Sequence, residues 1–238
     1  MFKMIDILDE IRKDLRQSMD EKTQVTSQRF FKETIKFHGV KMPVVNKISK
    51  QYFNQIKFLP KSDIFDLCEI LWQSGFFEES IIACNWSYYL HEKFQPDDFQ
   101  LFEKWINKYV NNWASCDTFC NHTMGKFIEL YPAYMHRLKI FAKSDNRWLR
   151  RASSVSLIIP ARKGEFLNDV LEIAAILLVD KDDLVQKGYG WMLKAASEAN
   201  QREIFDFVIK NKSIMPRTAL RYAIEKMPKN MKAEAMKK

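Results

Sequence analysis

The sequence predicts an all-α protein, and three observations lead to that prediction. Six glycines and seven prolines are few for 238 residues, and the prolines fall between periodic segments, where helices begin or end. Apolar residues recur three to four positions apart, as they do on the buried face of a helix. No stretch alternates apolar and polar residues over the length of a strand. With 47% hydrophobic residues, the chain can bury a large core.

Helices of about three to four turns, separated by short polar joints, are predicted in order along the chain. In the first half, the apolar stripes that indicate them are Ile5, Leu8, Ile11 and Leu15; Phe30, Phe31 and Ile35; Ile64, Leu67 and Leu71; Ile81, Ile82, Trp86 and Tyr89; and Phe99, Phe102, Trp105, Ile106 and Tyr109. In the second half, the predicted helices span residues 113–130, 132–142, 147–158, 165–179, 183–198, 201–210 and 217–227.

The predicted helices form pairs that recur about every 36 to 40 residues. Such a period is typical of an α-solenoid of stacked HEAT-like helix pairs, which present equivalent helices along one concave face. No linker composition divides the chain, so a single domain over residues 1–238 is predicted. We predict a concave basic face that brings together residues distant in sequence. These residues are Trp113, Asp117, Arg150, Arg151 and Trp191.

The positive charge of the chain is concentrated in one stretch. Lys and Arg number 38 against 30 Asp and Glu, which gives a net charge of +8. Between Arg137 and Lys163, eight basic residues stand against Asp145 alone, a local net charge of +7. An excess of this size predicts a polyanionic partner. The alternative, a solvated basic face without a partner, stays open at this point.

The cysteines are predicted to be structural. Cys68, Cys84, Cys116 and Cys120 lie in apolar helical patterns, which predicts reduced core residues. Cys116 and Cys120 share a helix face near His122, but no second ligand pair follows at zinc spacing, so neither a metal nor another cofactor is expected. With no signal peptide and no apolar run of about 18 residues, we expect a soluble cytoplasmic protein that does not enter a membrane.

The stretch 111–117 places an indole and a carboxylate on one face of a helix. Trp113 and Asp117 are four positions apart, and no basic residue lies within a turn of them. A tryptophan at this spacing is more often a core residue, and such an acid can pair with a distant arginine. Further along, Gly188 and Gly190 indicate a close approach to the backbone, either by DNA or by a neighbouring helix.

Four motifs follow one another between Trp113 and Tyr222, in the second half of the chain. They are Trp113-x-x-x-Asp117, Ser144-x-Asn146-x-Trp148-x-Arg150-Arg151, Val185-Gln186-Lys187-x-x-Gly190-Trp191, and Pro216-Arg217-x-Ala219-Leu220-Arg221-Tyr222. Together they resemble the AlkD-like family of DNA alkylation repair glycosylases. The resemblance implies a stack of HEAT-like repeats that holds duplex DNA on its concave face. It also implies excision of N3- or N7-alkylated purines by hydrolysis of the N-glycosidic bond.

The resemblance implies roles for individual residues. Asp117 would be the catalytic carboxylate, because bond cleavage builds positive charge on the deoxyribose and requires a held water. Trp113 and Trp191 would lay their rings against the cationic nucleotide. Arg151 would bind a phosphate beside the lesion, with Arg150 on another face of the same helix.

One position departs from the family pattern. Phe30 stands at about the place where many relatives carry a tyrosine, so the ring is kept and the hydroxyl is lost. No lysine nucleophile lies beside Asp117, so a monofunctional glycosylase is expected. The expected partner is duplex DNA containing alkylated purines, bound by a monomer without an obligate protein partner. Two alternatives stay open, a non-catalytic DNA-binding protein and a HEAT-type protein-interaction scaffold.

Overall fold

The computed structural model describes residues 2–237, apart from the side chains of residues 2–5, and it is all-α as predicted. Ile5 of the first predicted stripe therefore lies outside the described side chains. Within residues 2–237 there is no β-strand, and an isolated parallel bridge joins Lys36 to Phe76. In the same range, no helix combines the length and the apolar character that crossing a membrane requires.

The chain folds into two compact units, residues 1–119 and 120–238, and the single domain over residues 1–238 stays a prediction. The helices of the first unit are α1 (Phe2–Gln17), α2 (Glu21–Ser27), α3 (Met42–Ile56), α4 (Lys61–Gln73), α5 (Phe77–Tyr89), α6 (Asp98–Lys108) and α7 (Trp113–Phe119). Helix α3 has no counterpart among the predicted helices.

The prediction of a helix carrying Phe30, Phe31 and Ile35 is wrong. Helix α2 ends at Ser27, a 3-10 turn follows over Gln28–Phe30, and residues 31–41 form a loop. The Gln28 side chain makes the hydrogen bonds that stabilise this loop. Its amide nitrogen donates to the carbonyl oxygens of Phe31 and Glu33, and its amide oxygen accepts the backbone N–H of Ile35 at 3.0 Å. A side chain therefore replaces the backbone partners that a helix would supply.

Stacked helix pairs build the first unit. Alternate helices pack together, α1 on α3, α3 on α5 and α5 on α7, while α4 packs on α5. Side chains join alternate helices at a regular spacing. The Trp86 Nε1 donates to the Ser49 carbonyl oxygen at 2.9 Å, 37 positions earlier, and Lys61 pairs with Asp98 at 2.6 Å, 37 positions later. These separations agree with the predicted period of about 36 to 40 residues.

The second unit opens with a π-helical turn, Cys120–Met124, inside the helix predicted over residues 113–130. Its α-helices are α8 (Gly125–Leu130), α9 (Met135–Phe141), α10 (Arg147–Val155), α11 (Ile158–Arg162), α12 (Leu167–Ile176), α13 (Asp183–Ala196), α14 (Gln201–Asn211), α15 (Arg217–Ala223) and α16 (Lys229–Met236). The last of these, α16, was not among the predicted helices.

Helix α13 is the centre of the second unit, because α10, α11, α12 and α15 all pack on it. Two glycines allow two of these contacts to be close. A Cβ atom on Gly188 would lie 3.1 Å from the Ser154 Oγ on α10, and one on Gly190 would lie 2.7 Å from the Tyr222 Cβ on α15. Neighbouring helices, not DNA, therefore approach the backbone at both positions.

Candidate functional site

The start of α7 is fixed by an asparagine. The buried Asn112 side chain accepts the backbone N–H of Ser115 at 2.9 Å, and the Asn112 carbonyl oxygen accepts the N–H of Cys116 at 3.2 Å. This is the hydrogen-bond pattern of a helix N-cap. The cap sets the first helical residue at Trp113, so that Asp117 follows one turn later on the same side of α7.

The carboxylate of Asp117 is largely removed from solvent. Asp117 is 9% exposed, and its neighbours Cys116 and Phe119 on α7 are fully buried. The indole of Trp113 is only half-buried. The predicted pair therefore combines a sheltered acid with a more accessible ring, and a carboxylate in such a place acts on nearby positive charge more strongly than one in water.

Two contacts hold the indole of Trp113. Its Nε1 donates to the carbonyl oxygen of Phe30 at 3.1 Å, and its ring stacks on Phe31 with 5.6 Å between the ring centroids and 24° between the planes. The Phe30 side chain itself is 71% exposed. The structure thus places the ring of Phe31 on Trp113, while Phe30 contributes its carbonyl oxygen. Neither position carries a hydroxyl.

The loop 31–41 adds a further ring to this contact. Phe31 packs on Phe37 at 5.7 Å and on Phe77 at 5.6 Å, and Phe37 packs on Phe77 at 5.5 Å, measured between ring centroids. With Trp113, these residues form an aromatic cluster between the loop, the start of α5 and the start of α7. Aromatic pairs at these distances are mutually attractive, which stabilises the ring orientations.

A buried carboxylate anchors the loop. Glu78 is 1% exposed and accepts three successive backbone N–H groups, those of His38 at 2.9 Å, Gly39 at 2.9 Å and Val40 at 3.0 Å. Gly39 has a φ of 78°, and its Cα lies so close to Gln24 that a Cβ atom would be 2.6 Å from the Gln24 Cβ. Only glycine fits this turn without strain.

The adjacent acid, Glu79, is buried in an ion-pair network. Its carboxylate accepts hydrogen bonds from Arg12 at 3.1 and 3.2 Å and contacts the His38 Nε2 at 3.0 Å. Burial acts to raise the pKa of Glu79, but the hydrogen bonds with His38 and Arg12 outweigh it, and the pKa is lowered from its usual value. The anchoring role of Glu78 and Glu79 was not predicted, although two adjacent acids within an apolar helix were a visible signal.

The other predicted site residues lie in the second unit. Arg151, on α10, is 5% exposed, and its Nη1 donates to the carbonyl oxygen of Leu184. Arg150 pairs through its Nε with Asp180 at 2.7 Å. Trp191, on α13, is half-buried. That these residues share one face with those of the first unit stays a prediction.

The basic stretch between Arg137 and Lys163 is largely compensated by acids that lie elsewhere in the sequence. The pairs are Lys139 with Asp169 and Glu172, Arg147 with Asp182, Arg150 with Asp180, Arg162 with Glu198, and Lys163 with Glu129. The fold therefore neutralises most of the local net charge of +7 that is counted along the sequence. This charge does not by itself indicate a surface that binds a polyanion.

The net charge instead differs between the two units. The first has 16 Lys and Arg against 17 Asp and Glu, or −1, and the second has 22 against 13, or +9. Within the described residues, Arg217 and Arg221 have no ion-pair or hydrogen-bond partner for their guanidinium groups. They are exposed one turn apart on α15. Both stand in the fourth motif, and no separate role was predicted for them.

A family model described as DNA alkylation repair enzyme matches residues 11–227. The chain belongs to this family. A solved structure titled "Predicted DNA alkylation repair enzyme from Enterococcus faecalis" is similar to it, with a TM-score of 0.80 and 17% sequence identity over 89% of this chain and 98% of that chain. At this identity, the similarity shows a common fold. A search of curated proteins gave no significant match.

Membership of the DNA alkylation repair family confirms the resemblance recognised in the sequence and gives the chain a role in alkylation repair. Among the described residues, no three His, Cys, Asp or Glu side chains are grouped to hold a metal ion. Cys68, Cys84, Cys116 and Cys120 are buried, and burial raises the pKa of the Cys84 thiol well above its usual value. Thiols in this state are poor nucleophiles. That the acid and the indole of α7 act on the nucleotide stays a prediction.

Proposed function

We propose that this protein is a monofunctional DNA glycosylase that hydrolyses the N-glycosidic bond of N3- or N7-alkylated purines in duplex DNA. The observation that carries the proposal is the nearly buried carboxylate of Asp117, one helical turn from an indole whose orientation two contacts fix. Asp117 is the catalytic residue, and Trp113 binds the nucleotide.

The chemistry of the lesion suits this arrangement. A purine alkylated at N3 or N7 is cationic and leaves readily, so protonation of the base by an acid is not required. Cleavage moves positive charge onto the deoxyribose, where a preorganised carboxylate stabilises it. The same carboxylate can position a water molecule and accept its proton as the water attacks C1′. Because Asp117 is sheltered from solvent, its charge is less screened than that of a surface acid.

The indole of Trp113 binds the cationic nucleotide through its π system. Phe31 covers one face of the ring, so we place the nucleotide against the other. A cation over an indole contributes about 0.5 to 2 kcal/mol, depending on how far water is excluded. The alkylated purine carries the charge that this contact favours, whereas an undamaged purine does not. In the second unit, Arg151, Arg150 and Trp191 are the proposed contacts to the DNA backbone and the lesion strand.

The experiment that tests the proposal is release of 7-methylguanine and 3-methyladenine from alkylated duplex DNA by the purified protein. We expect release by the parent and a decrease of about 10²- to 10³-fold in the single-turnover rate for Asp117→Asn, by analogy with the loss of one transition-state electrostatic contact. Equal rates in the two proteins would remove Asp117 from the mechanism. No release from any methylated duplex would leave a non-catalytic DNA-binding protein.

A salt titration of DNA binding distinguishes a glycosylase or a non-catalytic DNA-binding protein from a protein-interaction scaffold. A protein that neutralises phosphates binds DNA with an affinity that falls steeply as salt rises, because counterions are released on binding. We expect this steep dependence with undamaged duplex DNA as the ligand. Absence of DNA binding even at low salt would favour the scaffold.

A further inference from the structure

The 3-10 turn Gln28–Phe30 supplies the carbonyl oxygen that accepts the indole N–H of Trp113, yet the turn has little packing of its own. No residue of the turn is buried, and none of the preceding helix α2 is buried either. Two of the three side chains of the turn, those of Arg29 and Phe30, are exposed. The remaining side chain is that of Gln28, which is half-buried.

Gln28 bonds to four backbone groups of the segment that follows it. Its carbonyl oxygen accepts the N–H of Phe31 at 3.1 Å. Its amide nitrogen donates to the carbonyl oxygen of Phe31 at 3.3 Å and to that of Glu33 at 2.7 Å, and its amide oxygen accepts the N–H of Ile35 at 3.0 Å. A primary amide offers two N–H donors and one acceptor oxygen, and this side chain uses both kinds of group. One residue therefore spans the bend over residues 31–35.

The peptide between Phe30 and Phe31 connects this arrangement to Trp113. A peptide is planar, so the directions of its C=O and its N–H are fixed relative to each other. The N–H of this peptide donates to the Gln28 carbonyl oxygen, and its C=O accepts the Trp113 Nε1 at 3.1 Å. Because a hydrogen bond weakens steeply as its angle departs from linear, a tilt of the peptide away from Gln28 would weaken its bond with the indole.

The ring of Phe31 gives a second connection between Gln28 and the indole. The ring stacks on Trp113, with 5.6 Å between the centroids. Gln28 holds the backbone of Phe31 on both sides of its Cα, through the N–H and through the carbonyl oxygen. The direction in which the Phe31 ring leaves the backbone is therefore set by Gln28, and the ring in turn covers one face of the indole.

We infer that Gln28 is a positioning residue of the proposed reaction. It acts through the Phe30 carbonyl oxygen and the Phe31 ring, and it holds Trp113 in the orientation that leaves one face of the indole for the cationic nucleotide. A cation–π contact requires the cation to lie over the face of the ring, so its strength depends on that orientation. The inference rests on the proposed function, in which Trp113 binds the nucleotide, and deepens it by naming the residue that fixes the ring.

The first measurement records the indole ¹⁵N–¹H signals of the six tryptophans in the full chain, in the parent and in two variants of Gln28. Gln28→Ala removes the side-chain bonds, and Gln28→Glu keeps the shape but offers no N–H to the two carbonyl oxygens. Trp113→Phe identifies the signal of Trp113. We expect both variants to shift that signal and to speed exchange of its N–H with solvent at least about threefold.

Gln51→Ala is the matched control, because Gln51 is an exposed glutamine of α3 in the same unit. It should leave the Trp113 signal in place. Circular dichroism verifies folding, and Gln28→Glu decides if Gln28→Ala does not fold. An unchanged Trp113 signal in a folded Gln28 variant would overturn the inference, as would an equal shift in Gln51→Ala.

The second measurement separates positioning from a loss of stability. We expect the Gln28 variants to lower the single-turnover rate on duplex DNA containing 7-methylguanine at least about threefold, and to change the affinity for undamaged duplex less than about twofold. A loss of folded protein would lower both together. Tyr52→Phe is the control, because it removes a 2.8 Å hydrogen bond to Asp14 in the same unit. Equal rates in the parent and the Gln28 variants would overturn the inference, as would an equal loss in Tyr52→Phe.

Failure of this inference and failure of the proposed function are distinguishable, because the indole signals require no reaction. If the parent releases methylated bases and the Gln28 variants release them equally fast, the positioning role is excluded and the glycosylase stands. If the parent releases no base but the Trp113 signal shifts in the variants, the glycosylase is excluded and Gln28 still positions the ring.

Discussion

The indole N–H of Trp113 donates a 3.1 Å hydrogen bond to the carbonyl oxygen of Phe30, which lies 83 positions earlier in the chain. This bond joins the first residue of α7 to the end of the 3-10 turn Gln28–Phe30. The stacked ring of Phe31 supports the same indole. The orientation of the proposed nucleotide-binding ring thus depends on a short segment whose preceding helix, α2, buries none of its own residues.

Substitution of Trp113 by Phe should loosen that segment. The variant keeps an aromatic ring but leaves the Phe30 carbonyl oxygen without its donor, which costs about 1 kcal/mol of unfolding free energy. We expect faster amide hydrogen exchange over residues 28–37. Trp72→Phe is the control, because the Trp72 Nε1 has no hydrogen-bond partner within residues 2–237. Equal exchange in the parent and Trp113→Phe would mean that the bond does not hold the loop.

Substitution of Glu78 by Gln should release the loop 31–41. The carboxylate accepts three backbone N–H groups, and an amide offers one acceptor oxygen and a donor that repels N–H groups. We expect a loss of about 1 to 3 kcal/mol of unfolding free energy, measured by urea denaturation. The exposed Glu92, changed to Gln, provides the matched control. A midpoint equal to that of the control would show that the loop is held by its rings alone.

The neighbouring acid, Glu79, should make the stability of the protein depend on pH. The folded pKa of Glu79 lies below the usual value of 4.5, since hydrogen bonds with His38 and Arg12 outweigh the opposing effect of burial. A depressed carboxylate pKa contributes stability above the unfolded pKa, and that stability is lost as pH falls through the folded pKa. Glu79→Gln should therefore lower stability at pH 7 and flatten its dependence on pH below about 4.5. Urea midpoints between pH 3 and pH 7 measure both effects, and parallel curves for the two proteins would contradict the assignment.

The two glycines of α13 should respond differently to alanine. Replacement of glycine by alanine in a helix interior stabilises the helix by about 1 kcal/mol. At Gly188 the new Cβ atom would meet a side-chain oxygen at 3.1 Å, so the gain and the crowding should nearly cancel. At Gly190 it would lie 2.7 Å from the Tyr222 Cβ and 2.8 Å from the Ala219 carbonyl oxygen, which requires α15 to move. We expect Gly190→Ala to lower the melting temperature clearly more than Gly188→Ala, and the reverse order would refute this account of the packing.

Arg217 and Arg221 should contribute to DNA binding through phosphates. Both are exposed on α15 in the unit of net charge +9. If each neutralises one phosphate, the double change to alanine should reduce the slope of log affinity against log salt by about 2. Arg202→Ala is the control, because Arg202 is exposed but pairs with Asp206 at 3.0 Å. An unchanged slope in the double variant would place the DNA elsewhere.

Much of the helical order could be predicted from apolar periodicity, because each helix buries one stripe on its neighbours. The ring that packs on Trp113 could not be predicted to the residue. A shift of one position turns a side chain to another side of the backbone, and the helix expected around Phe30 and Phe31 is a turn followed by a loop that Gln28 stabilises.

The ion pairs that neutralise the basic stretch between Arg137 and Lys163 could not be predicted either. The acids that pair with it are close in space only after the helix pairs have stacked, as Arg150 and Asp180 show at a separation of 30 positions. A count of charges along the sequence contains no such information. The placement of Asp117 one turn after Trp113 could be predicted because both residues lie on the same helix, α7.

The ion pairs between helices distant in sequence restrict how the chain can gain or lose a helix pair. Arg147 contacts Asp182 and Arg162 contacts Glu198, 35 and 36 positions apart, so these two ion pairs join successive parts of the helix stack in the second unit. Deletion of one helix pair would remove one member of such a pair and would leave, for example, the half-buried Asp182 without Arg147. The ion pairs therefore favour one order of the helix pairs in the folded protein, in addition to the order that the covalent chain imposes.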